Sequence, residues 1–420
     1  MRIVPGGRPE SPPPYPPGRS DDGHLRLGYR AASVVLPRTV IVAILLAGAL
    51  LAGCGGGLER SPVQRQLEGD VEQTPLGFPL LATKNTTRVA GKDPVEDAAA
   101  VARAVYPGFS DSQRPQAVTL VDRGDWHGAV AAAVLAAPPV RAPMLLTDGD
   151  GVPAVTASVL DSLRPKGSPL ASRVQAFRIG SAAAPKGLRN QVVPGKDPVA
   201  LAAAIDDAAF KVTGQRSSDV LIASTSDPRF AMPAAAWAAK SGDAVLFAGK
   251  DTLPASTKQA IERRDKPSIH VLGPPSVIGD GVIRQLARLG RVRRIAGADP
   301  VQNAIAFARY TDGVFGWGVR DPGHGLTIAR DDRPLDAAAA ASLATNGGYA
   351  PLLLTDSAGT VPVPLVNYLL DIQPGYQDDP VRGVYNHAWL LGDQSAISES
   401  VQARIDELTE IVRVRAGQAK

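Results

Sequence analysis

Three short segments of this 420-residue chain combine aspartates with arginines, so their side chains could bind charged or hydroxyl-bearing ligands. The segments span 122–127, 227–230 and 330–333 and read DRGDWH, DPRF and RDDR. Each follows a predicted strand and opens a predicted helix. Ligands of parallel α/β sheets bind beyond the carboxyl ends of the strands, where helix N-termini favour anions. The predicted binding residues are Arg123, Asp125, Asp227, Arg229, Asp332 and Arg333.

The same residues also allow a purely structural interpretation. In it, the aspartates cap the helices and the arginines pair with them on a solvated face. Trp126 and Phe230 would then pack at the core or its rim rather than stack on sugars, and His127 would be a loop residue rather than a base.

No motif of a known enzyme class supports catalysis. The chain lacks a G-x-S-x-G elbow, a Walker loop and an H-E-x-x-H helix. The segment 148–151 reads DGDG and suggests a calcium loop, but its equivalents near 249 and 357 lack the carboxylate pair, so we interpret it as a turn. The single cysteine excludes an internal disulfide. We therefore predict a protein that is not an enzyme and needs no metal and no cofactor. A cryptic glycan hydrolase using Asp331 and Asp332 stays open as an alternative.

The first 87 residues predict export and tethering rather than a folded domain. Residues 1–37 are rich in proline and arginine and cannot bury a core. The apolar run 39–53 is short for a membrane span and typical of a signal peptide. It ends in Leu51-Ala52-Gly53-Cys54, which resembles the lipobox of bacterial lipoproteins. We expect a signal peptide with a long disordered n-region at 1–53, lipid attachment at Cys54, and a lipidated tether at 54–87. An uncleaved anchor is the alternative.

The net charge of +4 carries little information about partners, because the first 53 residues hold six arginines against three acids. The remaining chain is nearly neutral, so composition gives no argument for nucleic acid. At 44% hydrophobic and 20% charged residues, the chain has the composition of a folded globular protein with two to four domains.

A Gly-x-x-Pro pattern, with Asp before the Pro in every copy, recurs three times and divides the rest of the chain into modules. Its glycines are Gly91, Gly195 and Gly297, which lie 104 and 102 residues apart. The pattern predicts a strand end at Gly, a helix cap at Asp and the first helical residue at Pro. Further strands and helices follow in the same order each time, which predicts a parallel sheet flanked by helices in each module.

The pattern sets the predicted boundaries at 88–191, 192–293 and 294–420. Two insertions distinguish the third module, at 315–325 and 375–386, and we expect loops there. The chain end, 412–417, resembles the opening strands and is expected to close the third sheet.

These ordered landmarks resemble the cell-wall-binding repeat type 2 family of Gram-positive surface proteins, over about 88–417. The resemblance rests on the opening Arg-x-x-Gly motif, the Ala142–Thr147 and Ala350–Thr355 strands, and the glycine-terminated strands such as 268–273. It implies three Rossmann-like or Toprim-like modules around a pseudo-threefold axis, and noncovalent binding to an anionic secondary wall polymer. The family's opening arginine corresponds to Arg88 and Arg294, which join the predicted polymer contacts.

The chain departs from the family pattern at several of these positions. Pro-Val replaces Arg-Tyr after the Asp in all three repeats, and Val192 replaces the opening arginine of the second. The resemblance therefore bears on the fold more directly than on the ligand contacts. We predict a surface lipoprotein on the extracytoplasmic face of the membrane. It would bind wall polymer through three repeats, because weak contacts at several repeats add up, and it would so bridge membrane and wall. The alternative is a lipoprotein that binds a small ligand between modules.

Overall fold

The computed structural model describes residues 80–89, 91–345 and 350–414. Cys54, the predicted signal peptide and most of the predicted tether lie outside these residues. Within them, no helix is both long and apolar enough to cross a membrane.

Short strands recur through the described residues, most of them at the predicted places. Two stand where none is predicted, Leu80–Ala82 in the predicted tether and Gly375–Tyr376 in the second insertion. In chain order, the strands are β1 Leu80–Ala82, β2 Thr86–Val89, β3 Val118–Asp122, β4 Met144–Thr147, β5 Ala176–Ile179, β6 Asn190–Val193, β7 Asp219–Ser224, β8 Ala244–Ala248, β9 Ser268–Leu272, β10 Arg291–Ile295, β11 Gly325–Arg330, β12 Leu352–Thr355, β13 Gly375–Tyr376, β14 His387–Leu391 and β15 Val412–Arg413.

Helices alternate with these strands. They are α1 Pro94–Val105, α2 Trp126–Ala132, α3 Ala154–Leu163, α4 Pro198–Thr213, α5 Pro228–Ser241, α6 Ala255–Glu262, α7 Asp280–Leu286, α8 Pro300–Arg309, α9 Pro334–Ala340, α10 Val363–Asp371 and α11 Glu399–Thr409. Both α2 and α9 continue into a 3₁₀ turn, at Ala133–Ala136 and Ala341–Ala344.

The repeated Gly-x-x-Pro pattern performs the same local task in each copy. Asp93, Asp197 and Asp299 cap α1, α4 and α8, and each side chain accepts backbone N–H groups of the first helical turn. A proline opens each helix, where its missing N–H costs nothing. A Cβ atom on the repeated glycine would overlap the helix start in all three copies, so the turn requires glycine. These local predictions are confirmed.

Each module contains a four-stranded parallel sheet, as the resemblance implied. The orders are β4-β3-β5-β6, β8-β7-β9-β10 and β12-β11-β14-β2. In the third sheet β1 adds to β2 as an antiparallel edge strand. The central strands of these sheets are buried and apolar, as expected for parallel sheets covered on both faces.

The opening strand of each sequence repeat belongs to the sheet of the preceding module. β6 pairs with β5, β10 pairs with β9, and β2 pairs with β14, about 300 residues further along the chain. The repeat in the sequence and the module in space are therefore offset by one strand. The expectation that 412–417 closes the third sheet is wrong, because β2 occupies that place and β15 pairs with β13 instead. A strand pattern predicts extended backbone but not its distant partner.

Three equivalent helices, α2, α5 and α9, pack against one another at the centre of the modules. Alanine dominates their buried faces, and in α5 every residue from Phe230 to Ala239 is buried. Small side chains allow the close approach that three mutually touching helices need. This mutual contact fits the pseudo-threefold arrangement of three α/β modules.

The first helix of each module packs on the central helix of the module before it. α4 packs on α2, α8 on α5, and α1 on α9, so the first and third modules also meet. The two insertions of the third module lie at the amino ends of β11 and β14. Asp312 from the segment before the first insertion pairs with Arg291 and Arg293 of β10, at 3.2 and 3.6 Å.

Candidate functional site

The three charged segments lie at equivalent places, between a central strand and a central helix. We call 122–127, 227–230 and 330–333 the first, second and third rim loops. They follow the carboxyl ends of β3, β7 and β11 and open α2, α5 and α9. Because these helices meet at the centre, the loops lie around one end of the shared packing.

In the first rim loop, the aspartates organise the backbone. Asp125 caps α2 by accepting Gly128 N at 2.8 Å. Asp122 accepts Gly124 N at 2.8 Å and Gly149 N at 2.7 Å, which ties the loop to the turn after β4. Arg123 stays on the surface, where its side chain is 42% exposed and lies 3.3 Å from the Asp148 carboxylate.

The second and third rim loops each hold an arginine–aspartate pair that is partly exposed to solvent. Arg229 donates from Nε and Nη2 to the two oxygens of Asp227, at 2.9 and 2.8 Å. Asp227 also caps α5. Arg330 binds the Asp332 carboxylate through Nε and Nη2 in the same two-pronged way. Arg330 was not among the predicted binding residues, although it stands at the end of the strand that leads into the loop.

These contacts agree with the structural interpretation, in which aspartates cap helices and pair with the arginines. Exposed ion pairs contribute only about 0–1 kcal/mol each to stability. An incoming anion can therefore replace the aspartate partner of Arg123, Arg229 or Arg330 at little cost.

Contacts between the loops join them into one surface. His127 Nε2 lies 2.8 Å from the backbone oxygen of Thr225, two residues before the second loop. Burial lowers the pKa of His127, so its neutral ring can donate this hydrogen bond. Burial also raises the pKa of Asp331, and the charge of Arg229 opposes that shift across the second and third loops.

Aromatic residues at the rim pack inward. Trp126 stacks on His127 with ring centroids 3.6 Å apart, and both rings meet Phe247 edge-on. Phe230 is 5% exposed. Trp126 and Phe230 therefore have the packing role that the structural interpretation gave them. The His127 ring is used in its hydrogen bond with the Thr225 carbonyl.

Arg333, by contrast, is held between two carboxyl groups. Its side chain is 16% exposed, and Nε lies 2.6 Å from Asp336 while Nη2 lies 3.3 Å from Asp97 of α1. Arg333 thus contributes to the contact between the third and first modules. Neither Asp97 nor Asp336 is among the predicted binding residues. The signal was present, since the residue six places after the repeated glycine is Asp97, Leu201 or Asn303.

Arg88 was predicted to contact the polymer at the surface, but it is buried. It is 2% exposed, and its guanidinium donates to Gln402 Oε1, Gly392 O and Asp393 O, each at 2.9 Å. Burial lowers its pKa. Arg88 therefore ties β2 to the end of β14 and cannot contact a polymer from the surface.

Arg294 shows the same structural role at lower burial. It donates to Gly273 O at 2.8 Å and to Asp280 at 3.1 Å, and its side chain is 20% exposed. The opening arginine of the repeat thus binds the glycine carbonyl that ends the neighbouring strand. In the first sheet, where Val192 replaces it, Arg178 on β5 donates to Ala182 O instead.

The DGDG segment forms a tight turn. Asp148 and Gly151 exchange backbone hydrogen bonds of 3.0 and 2.9 Å. Among the described residues, no group of three or more His, Cys, Asp or Glu side chains could hold a metal ion.

Comparisons with known proteins agree with the repeat pattern. The family model of cell wall binding domain 2 (CWB2) matches residues 294–402. Two solved structures share the fold, Cwp6 and Cwp8 from Clostridium difficile, with TM-scores of 0.62 and 0.59 at 17% and 18% identity. Each match covers 78% of this chain, but the chain spans only 48% of the Cwp6 structure and 52% of the Cwp8 structure. No curated protein sequence matches the chain.

The resemblance predicted from the three repeats is confirmed by these matches. Likeness at this identity shows a shared fold of α/β modules with parallel sheets. The family match lies on the third module, where β11, β12 and β14 and the third rim loop are found. Residues 294–402 of this chain are therefore similar to cell wall binding domain 2 (CWB2).

Proposed function

We propose that this protein binds a polymer of the cell wall through its three rim loops. The observation that supports the proposal is the joined rim, in which three arginines reach solvent from equivalent loops around one packing centre. The side chains of Arg123, Arg229 and Arg330 are 42%, 48% and 25% exposed. Arg123, Arg229 and Arg330 can each exchange the carboxylate partner for an anionic group of the polymer. The aspartates can accept hydrogen bonds from sugar hydroxyls. Three weak sites on one surface suit a repeating ligand, because contacts at neighbouring sites add through effective concentration.

The double variant Arg123→Ala with Arg229→Ala tests this proposal. We expect wall retention of the full chain in mild detergent to fall about tenfold or more, since each charged hydrogen bond contributes about 1.5–3 kcal/mol. The measurement is co-sedimentation with purified cell walls, with and without their anionic secondary polymer.

A control removes two positive charges elsewhere. Lys258→Ala with Arg404→Ala breaks exposed pairs on α6 and α11, where Lys258 and Arg404 are 55% and 45% exposed. This variant should be retained like the unmodified chain. Equal loss in both double variants would mean that net charge, not the rim, holds the protein on the wall. Release of soluble sugar fragments would instead favour a glycan hydrolase.

The second part of the proposal is a lipid anchor at Cys54, so that the protein bridges membrane and wall. Its support is the Leu-Ala-Gly-Cys ending of the apolar run, which holds the one cysteine of the chain. Cys54→Ser should abolish incorporation of labelled palmitate in a lipoprotein-producing bacterium. The matched control is Gly56→Ser, which introduces the same hydroxyl two residues further on and should label normally. Labelling that survives Cys54→Ser would contradict the anchor.

A further inference from the structure

The contact between the first and third modules contains a buried pair of carboxyl groups. Asp97 on α1 and Asp336 on α9 are both fully buried, at 0% exposure. Both contact Arg333, which is the N-cap residue of α9, and a side-chain hydrogen bond joins the two carboxyl groups to each other. We call these three residues the closing seam, because they join the last module to the first.

The equivalent contacts between the other modules carry no such pair. Where α4 packs on α2, the equivalent residues are Leu201 and Gly128. Where α8 packs on α5, they are Asn303 and Phe230. Asn303 Oδ1 accepts Gly297 N at 3.2 Å, just as Asp97 Oδ1 accepts Gly91 N at 2.6 Å. An amide therefore satisfies the same backbone group at the same position of the repeat, and accepting this hydrogen bond does not require a carboxylate.

The charges of the closing seam do not balance when both carboxyl groups are ionised. Two buried carboxylates would then face one guanidinium. Asp336 Oδ2 forms the ion pair with Arg333, and the remaining contact of this carboxyl group is with the carboxyl group of Asp97, where two ionised groups would offer no donor. A proton on Asp97 would supply the missing donor and reduce the charge to one carboxylate and one guanidinium.

We propose that Asp97 and Asp336 share a proton and act as a latch that holds the third module on the first, and that the latch weakens when this proton is lost. Further carboxylates around the seam disfavour a second negative charge on the pair and so favour the shared proton. Asp93, Asp332 and Asp393 lie near the seam, before α1, on the third rim loop and after β14. Arg88 on β2 is a second cation near the seam, but its guanidinium already donates to the backbone carbonyls of Gly392 and Asp393.

The direction of the pH effect follows from burial. Desolvation raises the pKa of Asp97 and of Asp336, and in Asp97 the charge of Asp336 adds to the rise. In the unfolded chain both groups have ordinary pKa values near about 4. The stabilising contribution is therefore fully present below about pH 4 and is lost as the pH rises through the raised values of the folded protein.

The test is the pH dependence of unfolding of the full chain in mild detergent, compared with Asp97→Asn. One retained proton raises the unfolding constant about tenfold per pH unit across the titration range. We expect this component between about pH 5 and 8 in the unmodified chain and its absence in Asp97→Asn. Because Asn303 occupies the equivalent place, the amide variant is expected to fold. An unchanged pH slope in Asp97→Asn would overturn the proposal.

Hydrogen exchange gives a local readout that does not depend on any variant. After correction for intrinsic rates, exchange of α9 should increase from about pH 6 to about pH 8 more than exchange of α2. Helix α2 is the matched control, because its own contact with α4 places Leu201 beside Gly128 and carries no carboxyl pair. Equal pH dependence of the two helices would also overturn the latch.

Discussion

Replacing Asp206 by asparagine is expected to lower the free energy of unfolding by about 3–5 kcal/mol, because it leaves a buried arginine without its counter-charge. Asp206 lies on α4 and is 5% exposed. Arg264 donates to both of its oxygens, at 2.6 and 3.0 Å, and its side chain is only 3% exposed. Arg216 adds a third contact of 2.6 Å. Urea unfolding of the full chain measures the loss.

The adjacent residue provides the control for Asp206→Asn. Asp207 pairs with Arg263 at 2.6 Å and also with Arg216, but its side chain is 32% exposed and that of Arg263 is 40% exposed. Water screens this part of the network, so Asp207→Asn should cost about 1 kcal/mol or less. If the two variants lose similar stability, burial of Arg264 is not what makes Asp206 important.

The second large effect is expected at Arg88, the residue that attaches β2 to the third sheet. Arg88→Met keeps much of the length but removes the donors to the Gly392 and Asp393 carbonyls and to Gln402. A buried acceptor left without a partner costs about 1–3 kcal/mol, so we expect a total loss of about 3–5 kcal/mol. Hydrogen exchange should show β1 and β2 opening first, because their sheet contact is the one that weakens.

Arg294→Met is the matched control, since β10 occupies the same position in the second sheet as β2 in the third. Arg294 is less buried, and its partner Asp280 is 68% exposed. Only the contact with Gly273 O is shielded, so the cost should be about 1 kcal/mol. A loss in Arg294→Met equal to that in Arg88→Met would refute the argument from burial. Retention on cell walls by a folded Arg88 variant should remain normal, because Arg88 is not at the rim.

Both experiments also bear on how the modules depend on one another. The Asp206 network is local to the second module, with partners on α4, after α6 and before β7. Arg88 instead joins chain segments that are about 300 residues apart. We therefore expect Asp206→Asn to destabilise mainly the second module, and Arg88→Met to weaken the attachment of the first repeat to the third module.

Sequence alone determined the local structure, because its causes are local. Each of the three repeated helix starts depends on residues that are close neighbours in the chain. They are a glycine whose missing Cβ leaves room for the helix, an aspartate that caps it and a proline that opens it. The same is true of the buried apolar strands and of the rim loops that follow them. The recurrence of these signals roughly every hundred residues also predicted three α/β modules and the family resemblance.

Only the tertiary structure decided which distant groups meet and which charges lose water. The pattern around Arg88 predicts a strand, yet pairing with β14 depends on the folding of the whole chain. Arg88 and Arg123 have the same side chain, but the first is enclosed by carbonyls while the second stands in solvent beside Asp148. Asp97 and Asp336 are 239 residues apart in sequence, and their shared burial arises only because the last central helix packs on the first helix. The burial of a side chain and the choice of its partner depend on many contacts between residues distant in the chain. Short sequence patterns do not specify those contacts.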